Sequence, residues 1–389
     1  MLIAALRNLT DMSEHQYYEF QAIDRPLSEA DCQALRKLST RARITTSSFT
    51  NSYQWGDFKG DPTTLMQRWF DLHLYLANWG ARRLMIRLPR RLLDRAALKA
   101  FIADVEDVKL STAGDNLILS VARDEVDFED WDDGSGWLAD LAPLRADILS
   151  GDLRLFYLLW LMAVETDEIG PDQLEPMPGL GPLSGPLEAF VDFFDIDRDL
   201  VAVAAAQPAS PARGLSAPAE AVRPIIAAIS EQQKTDLLTR LFAGDAHVAH
   251  ELRALVRDRL APETAAAQAP ARSVSELRAG AEAIRAARAR AQAAKAAAER
   301  AKLQQAAERQ RRARLKDLEG RGERVWKDIE TEIERRNPNA YDKATALLVD
   351  LQAIAAANGG AEDFVQRLRS IRQRHARKER FIERLAQLG

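Results

Sequence analysis

The sequence predicts an α+β protein: a mixed-sheet α/β sandwich as N-terminal domain, then an all-α region, then a long helical C-terminal arm with a small helical bundle. Strand and helix patterns alternate up to residue 121, helical patterns alone follow, and an Ala- and Arg-rich stretch without proline begins near residue 275. These observations divide the chain into a leader or mis-assigned start (1–12), an α/β domain (13–133), a helical domain packed on it (134–260), a linker (261–274), and a long basic helix with its terminal bundle (275–389).

The α/β domain begins with a strand, a helix and a second strand. The run 16–23 places Tyr18 and Phe20 on one face at period two, as a strand does. Ser28 and Asp31 have the spacing of a capping box, which predicts a helix start. The stretch 43–55, rich in Thr, Ser and aromatic residues, predicts the second strand.

A helix from Asp61 to Gly80 is expected next, because Asp and Pro are favoured at a helix start. Its apolar residues recur at three- and four-residue spacing: Leu65, Trp69, Leu72, Leu76 and Trp79. The alternation in 84–88 predicts a third strand, and a short helix over 95–103 follows. Strands over 108–112 and 117–121 then predict a hairpin. Beyond an acidic stretch the patterns are helical, over 137–149, 152–168, 186–205, 219–229, 231–243 and 246–260.

One long helix is predicted from residue 275 to about residue 318 by its composition. Its apolar stripe lapses into alanine after Ile284, which favours an exposed spacer over a close-packed coiled coil. The residues after Gly322 predict a small antiparallel bundle. We expect a chain truncated after Ala261 to keep its fold.

The composition narrows the setting and the chemistry. Cys32 is the only cysteine, which excludes a disulfide framework and cysteine-based zinc sites and favours a reducing cytoplasm. The apolar run 155–164 is about half the length of a membrane span, which needs about 20 residues, so it predicts a buried helix and no membrane partner. The net charge of -4 combines a negative chain up to residue 271 with a positive one beyond it.

A polar loop precedes the predicted helix at Asp61. Asp57, Lys59 and Asp61 could gather in a cleft to hold an anion or act as acid and base. In the alternative interpretation Asp61 caps the helix while Asp57 and Lys59 face water.

An acidic cluster is a candidate docking surface for a basic partner, including the chain's own arm, or else a solvated loop. It contains Asp127, Glu129, Asp130, Asp132 and Asp133. The calcium-loop spacing fails there, because Trp131 falls where an oxygen ligand is needed.

The histidines and the cysteine offer weaker candidates. His247 and His250 lie one helical turn apart, but no third ligand is identifiable, so we expect no metal and no cofactor. His73 and Cys32 have the positions of structural residues rather than of a base or a nucleophile.

Two groups of arginines are candidates for contacts with phosphates, with a solvated surface as the alternative. They are Arg82, Arg83, Arg87, Arg90 and Arg91 around the third strand, and Arg311, Arg312 and Arg314 in the long helix.

Three N-terminal segments, YYEFQAIDRP (17–26), WGDFKGDP (55–62) and LYLANWG (74–80), resemble a family of uncharacterised bacterial proteins. The resemblance implies a bacterial cytoplasmic setting and no particular activity.

No residue constellation predicts a reaction, so three functions stay open. The first is a non-enzymatic interaction or assembly protein that uses its helical arm to bind a protein or to self-associate. The second is a nucleic-acid-associated protein whose basic arm neutralises phosphates. The third is an enzyme of unrecognised type with its site near Asp57, Lys59 and Asp61.

Overall fold

The computed structural model describes residues 14–102, 105–126, 131–208, 219–260 and 270–388. The chain forms two compact units, 1–286 and 287–389. A sheet and many helices make up the described residues, so the predicted α+β class is confirmed. The predicted leader (1–12) lies outside the described residues, and the domain limits inferred from the sequence stay predictions.

The first unit is built on a sheet of seven described strands. They are β1 (Gln16–Gln21), β2 (Arg43–Ile44), β3 (Ser48–Tyr53), β4 (Leu72–Ala77), β5 (Arg82–Pro89), β6 (Val108–Ala113) and β7 (Asn116–Arg123). Their order across the sheet is β2-β3-β1-β4-β5-β7-β6. Each described pairing is antiparallel, where a mixed sheet was expected.

The segment after Asp61 explains this difference. The helix that begins there ends at Arg68, and Leu72–Ala77 forms β4 instead of continuing it. Leu72 and Leu76 fit helical spacing, but Leu74 lies between them on the same buried face, as a strand requires. The added strand lies between β1 and β5 and pairs antiparallel with both.

The helices of the first unit are α1 (Glu29–Leu38), α2 (Pro62–Arg68), α3 (Arg95–Ile102), α4 (Trp137–Leu141), α5 (Pro143–Leu149), α6 (Arg154–Glu165), α7 (Gly185–Phe193), α8 (Arg198–Ala205), α9 (Ala219–Ala227), α10 (Glu231–Phe242) and α11 (Val248–Leu260). The predicted capping box begins α1, where Ser28 and Asp31 bond reciprocally at 3.2 and 3.1 Å. Across the described residues, no helix combines the length and the apolar character that a membrane span requires.

The two faces of the sheet pack against different cores. One face, with Leu74 and Ile86, forms the first core with the helices from α3 to α8, and α6 is buried in it from Leu155 to Val164. The other face, with Phe20 and Phe49, forms the second core with α1 and α2. Because side chains alternate along a strand, a single strand supplies both cores.

The long helix α12 (Val274–Arg321) begins inside the first core. Val274, Leu277 and Ala281 are fully buried there, so the apolar stripe seen in the sequence packs against the first unit. Gly280 lies against Val203, whose Cγ1 would be 2.9 Å from an added Cβ. The start of the helix is therefore an integral part of the first unit.

The second unit contains the rest of α12 and four more helices: α13 (Glu323–Glu334), α14 (Pro338–Ala357), α15 (Ala361–Arg374) and α16 (Glu379–Leu385). Gly322, with φ of 51°, separates α12 from α13. Leu318, Ile329, Phe364 and Phe381 are among the residues of its core. The predicted terminal bundle is present.

Candidate functional site

The three side chains of the predicted polar loop make separate contacts. Asp57 is exposed and accepts a hydrogen bond from Nε2 of Gln16 at 3.1 Å. Asp61 is the N-cap of α2 and accepts hydrogen bonds from the amides two and three residues later at 3.2 and 2.9 Å. Lys59 is exposed. Asp61 thus acts as a helix cap, and these contacts do not draw the trio together.

The arginines around β5 do not form one continuous surface. Arg82 is buried, lies 5.1 Å from the ring centre of Phe193 and 3.4 Å from Asp132, and burial lowers the pKa of its guanidinium. Arg83 and Arg90 are exposed. Arg82 and Arg83 are adjacent on β5, so their side chains point to opposite faces of the sheet.

A buried charge network begins at Asp71, whose side chain is 0% exposed. Its Oδ1 accepts hydrogen bonds from Nε and Nη2 of Arg87 at 3.1 and 2.7 Å. Its Oδ2 accepts hydrogen bonds from the amides of Ile23 and Asp24 at 2.6 and 2.9 Å. Both carboxylate oxygens are therefore satisfied, as a buried charge requires.

Arg145, on α5, extends this network to His247, which immediately precedes α11. Its Nη2 lies 2.6 Å from Oδ2 of Asp24 and 3.7 Å from Oδ1 of Asp71. Nε2 of His247 lies 3.0 Å from the same oxygen of Asp24. Burial by itself raises the pKa of Asp24, but His247 and Arg145 outweigh it and hold that pKa well below its ordinary value.

The outer part of the network contains Arg91, the remaining arginine of the predicted β5 group. It lies 2.8 Å from Asp245 and 3.4 Å from Glu251. Arg240 bonds to the same two carboxylates at 2.8 and 2.6 Å. These contacts join α10 and α11 to the end of β5, which is a structural role.

The described part of the acidic cluster is held by local hydrogen bonds. Asp132 accepts hydrogen bonds from Nε1 of Trp137 and from the amide of Gly134, both at 2.8 Å. Asp133 accepts from the hydroxyl and amide of Ser135 at 2.6 and 2.9 Å, and these bonds lower its pKa. The other three candidates lie outside the described residues: Asp127, Glu129 and Asp130.

His73 is part of the second core. Its ring stacks on Phe20 at 3.9 Å between centroids, and its Nδ1 lies 3.0 Å from the carbonyl oxygen of Glu19. Burial lowers its pKa to about 3, so the ring is neutral. Cys32 is partly exposed, with its Sγ 3.7 Å from the carbonyl oxygen of Thr45.

His250 is half-buried, and burial lowers its pKa. Nε2 of His247, one helical turn earlier, is in contact with Oδ2 of Asp24. Within the described ranges, no three His, Cys, Asp or Glu side chains are grouped so as to hold a metal ion.

A buried ion pair fixes the start of α12 to the first unit. The Glu175 carboxylate is 0% exposed and accepts two hydrogen bonds from the Arg272 guanidinium, from Nε and Nη2, both at 2.9 Å. The Tyr157 hydroxyl donates to the same carboxylate. Burial opposes the charge of Glu175, but these donors outweigh it and lower its pKa. Two-point pairing of this kind fixes orientation as well as distance.

Two further arginines continue the attachment along α12. Arg278 bonds to the carbonyl oxygen of Val164 and pairs with Asp167. Arg285 lies 2.7 Å from Asp197. Cationic side chains on the first three turns of the helix thus meet acceptors of the first unit.

The character of α12 changes after Ala286. We define residues 287–316 as the basic segment, which contains ten Lys or Arg residues and two Glu residues. Every residue from 287 to 314 is exposed, and so is Lys316. Of the predicted arginines there, Arg312 pairs with Glu308 one turn earlier and Arg314 lies 2.6 Å from Asp350, while Arg311 is exposed.

The basic segment gains little from packing, because it has no buried face. Its alanines and long straight side chains favour the helix by propensity. Packing supports the same helix at its two ends, through Leu277 in the first core and Leu318 in the bundle core. Packing therefore does not constrain the side chains at the exposed positions, and these positions can carry charge.

Asp71, Arg145 and the Glu175–Arg272 pair were not predicted from the sequence. One signal was available for Asp71, a carboxylate between Phe70 and Leu72, since a charge inside an apolar run is rarely buried without a partner. Glu175 and Arg272 carry no such signal. Neither a family model, nor a curated protein, nor a solved structure matches the chain.

Proposed function

We propose that this chain is a non-enzymatic interaction protein of the bacterial cytoplasm that binds an anionic partner through the basic segment of α12. The observation that carries the proposal is the exposure of the basic segment: nine of its ten cationic side chains lie in the stretch 287–314, where every residue is exposed, and the tenth, Lys316, is exposed as well. A sustained positive field of this kind attracts polyanions and speeds their association.

The contacts of the first unit support binding rather than catalysis. Two of its buried carboxylates, Asp71 and Glu175, are engaged with arginines and amides that satisfy them. Asp61 of the predicted polar loop is engaged as a helix cap. The single cysteine is in keeping with a reducing cytoplasm.

A panel of polyanions tests the proposal. We would measure the binding of the full chain at 50 mM salt to polyglutamate, heparin and duplex DNA by fluorescence anisotropy. A variant of the basic segment replaces six exposed cations: Arg290→Gln, Lys295→Gln, Arg300→Gln, Lys302→Gln, Arg309→Gln and Arg311→Gln. At about 0.5 kcal/mol for each exposed charge contact, affinity for the bound polyanion should fall by about 100-fold.

A matched control removes the same charge from exposed positions of the bundle. It carries Arg324→Gln, Lys327→Gln, Lys343→Gln, Arg369→Gln, Arg377→Gln and Arg380→Gln. Retained binding in this control, with loss in the first variant, supports the proposal. Equal loss in both variants, or no binding to any of the polyanions, contradicts it.

A further inference from the structure

Five cations of the basic segment recur at intervals of seven residues. They are Arg288, Lys295, Lys302, Arg309 and Lys316, and all five are exposed. We define these five residues as the basic stripe. No other set of cations in the basic segment keeps a constant interval over this length.

The interval places the basic stripe on one face of α12. Seven residues make nearly two helical turns, so successive members are displaced by only about 20° around the axis and about 10.5 Å along it. The five members therefore cover about 42 Å of the helix within about 80° of its circumference. Arg290, Arg300 and Arg311 lie at least about 120° from the centre of this stripe.

The surroundings of the basic stripe argue against a protein partner. Alanine is the commonest residue of the basic segment, and Leu303 is the only large apolar residue between 287 and 314. A specific protein interface needs a central cluster of aromatic or large apolar anchors. Exposed ion pairs without such a cluster contribute only about 0–1 kcal/mol each.

This limit on the contribution of exposed charges does not apply when the partner is a nucleic acid. Its phosphates carry condensed counterions, and each phosphate that a cation neutralises releases counterions to the solvent, which drives binding without any apolar contact. Proteins that bind single strands add aromatic side chains on which bases stack. The basic segment has none, since Trp326 is the first aromatic residue after residue 274.

We infer that the basic stripe binds the phosphate backbone of a double-stranded nucleic acid, independently of base sequence. This inference rests on the proposed function and names its partner. Duplex DNA presents about one charge per 1.7 Å of its axis, so a row of cations about 42 Å long meets phosphates along its whole length.

Salt dependence tests the inference with the full chain. Five phosphate contacts predict a slope of about -4.5 for log affinity against log salt with duplex DNA, so that binding weakens about 500-fold between 50 and 200 mM salt. A stripe variant (Lys295→Gln, Lys302→Gln, Arg309→Gln) keeps two contacts. Its slope should fall to about -1.8, which is about a 12-fold weakening over the same range.

The control variant removes the same charge from the opposite side of the same helix, with Arg290→Gln, Arg300→Gln and Arg311→Gln. It should keep the wild-type slope. Circular dichroism at 222 nm confirms that both variants retain their helix content. Duplex RNA and a single-stranded DNA of equal length complete the comparison, and the single strand should bind more weakly than either duplex.

Three results would overturn the inference. Equal loss of slope in both triple variants would mean diffuse attraction to net charge. Stronger binding of polyglutamate or of single-stranded DNA than of either duplex would agree with the proposed function but would refute a double-stranded nucleic acid as the partner. If no polyanion binds, both the inference and the proposed function are refuted.

Discussion

We predict that acidification from about pH 6.5 to about pH 5 destabilises the first unit through His73 by about 2 kcal/mol. The ring of His73 is buried against Phe20, and its pKa is lowered by that burial from 6.5 to about 3. In the unfolded chain the ring is hydrated, and its pKa returns to about 6.5.

The sign follows from proton binding. Below about pH 6.5 the unfolded chain binds a proton at His73 that the folded chain does not bind until the pH approaches 3. Protonation therefore favours the unfolded state, so the stability present above pH 6.5 is lost as the pH falls. Each pH unit in this window costs about 1.4 kcal/mol, which gives about 2 kcal/mol between pH 6.5 and pH 5.

Urea unfolding at pH 7.5, 6.5 and 5.0 measures this loss in wild type and in His73→Phe. Tryptophan fluorescence reports mainly on the first unit, because six of the seven tryptophans belong to it and Trp326 belongs to the second. Phenylalanine keeps a ring against Phe20 but cannot titrate. Between pH 6.5 and pH 5 the variant should therefore lose about 2 kcal/mol less of its free energy of unfolding than wild type loses. Parallel curves for the two proteins would refute the assignment of a neutral, buried His73.

Three other changes test the remaining features. Glu175→Ala leaves the largely buried guanidinium of Arg272 without a counter-charge and should reduce the free energy of unfolding in urea by about 3–5 kcal/mol. A loss below about 1 kcal/mol would contradict the role of the Glu175–Arg272 pair in attaching α12 to the first unit. Asp61→Ala should cost about 0.5–2 kcal/mol as a lost helix cap, whereas Lys59→Ala should change stability by less than about 0.5 kcal/mol. A chain ending at Ala286 should melt cooperatively by calorimetry, whereas one ending at Ala261 lacks three buried core residues and should not, in contrast to our expectation from the sequence alone.

Features set by neighbouring residues were predictable from the sequence. The capping box of Ser28 and Asp31 needs only a spacing of three residues, and the hairpin of β6 and β7 needs two adjacent strands around a turn. The helix α12 follows from propensity, because alanine-rich segments favour helix in many contexts. Local interactions decide each of these elements.

Features set by distant residues were not predictable. Leu72 and Leu76 fit a helix as well as a strand, and the pairing of β4 with β1 and β5 decides between them. The Glu175–Arg272 pair joins residues that are 97 positions apart. Periodicity reports which side of an element is buried, but it does not report which partner covers that side.

Tyr17 and Tyr18, neighbours at the start of β1, belong to different cores. β1 also pairs with β3 along one edge and with β4 along the other. One residue inserted within Gln16–Gln21 would turn the side chains beyond it to the opposite face and shift both ladders together. Changes of chain length should therefore be tolerated in the surface loops, while this strand must keep its six residues.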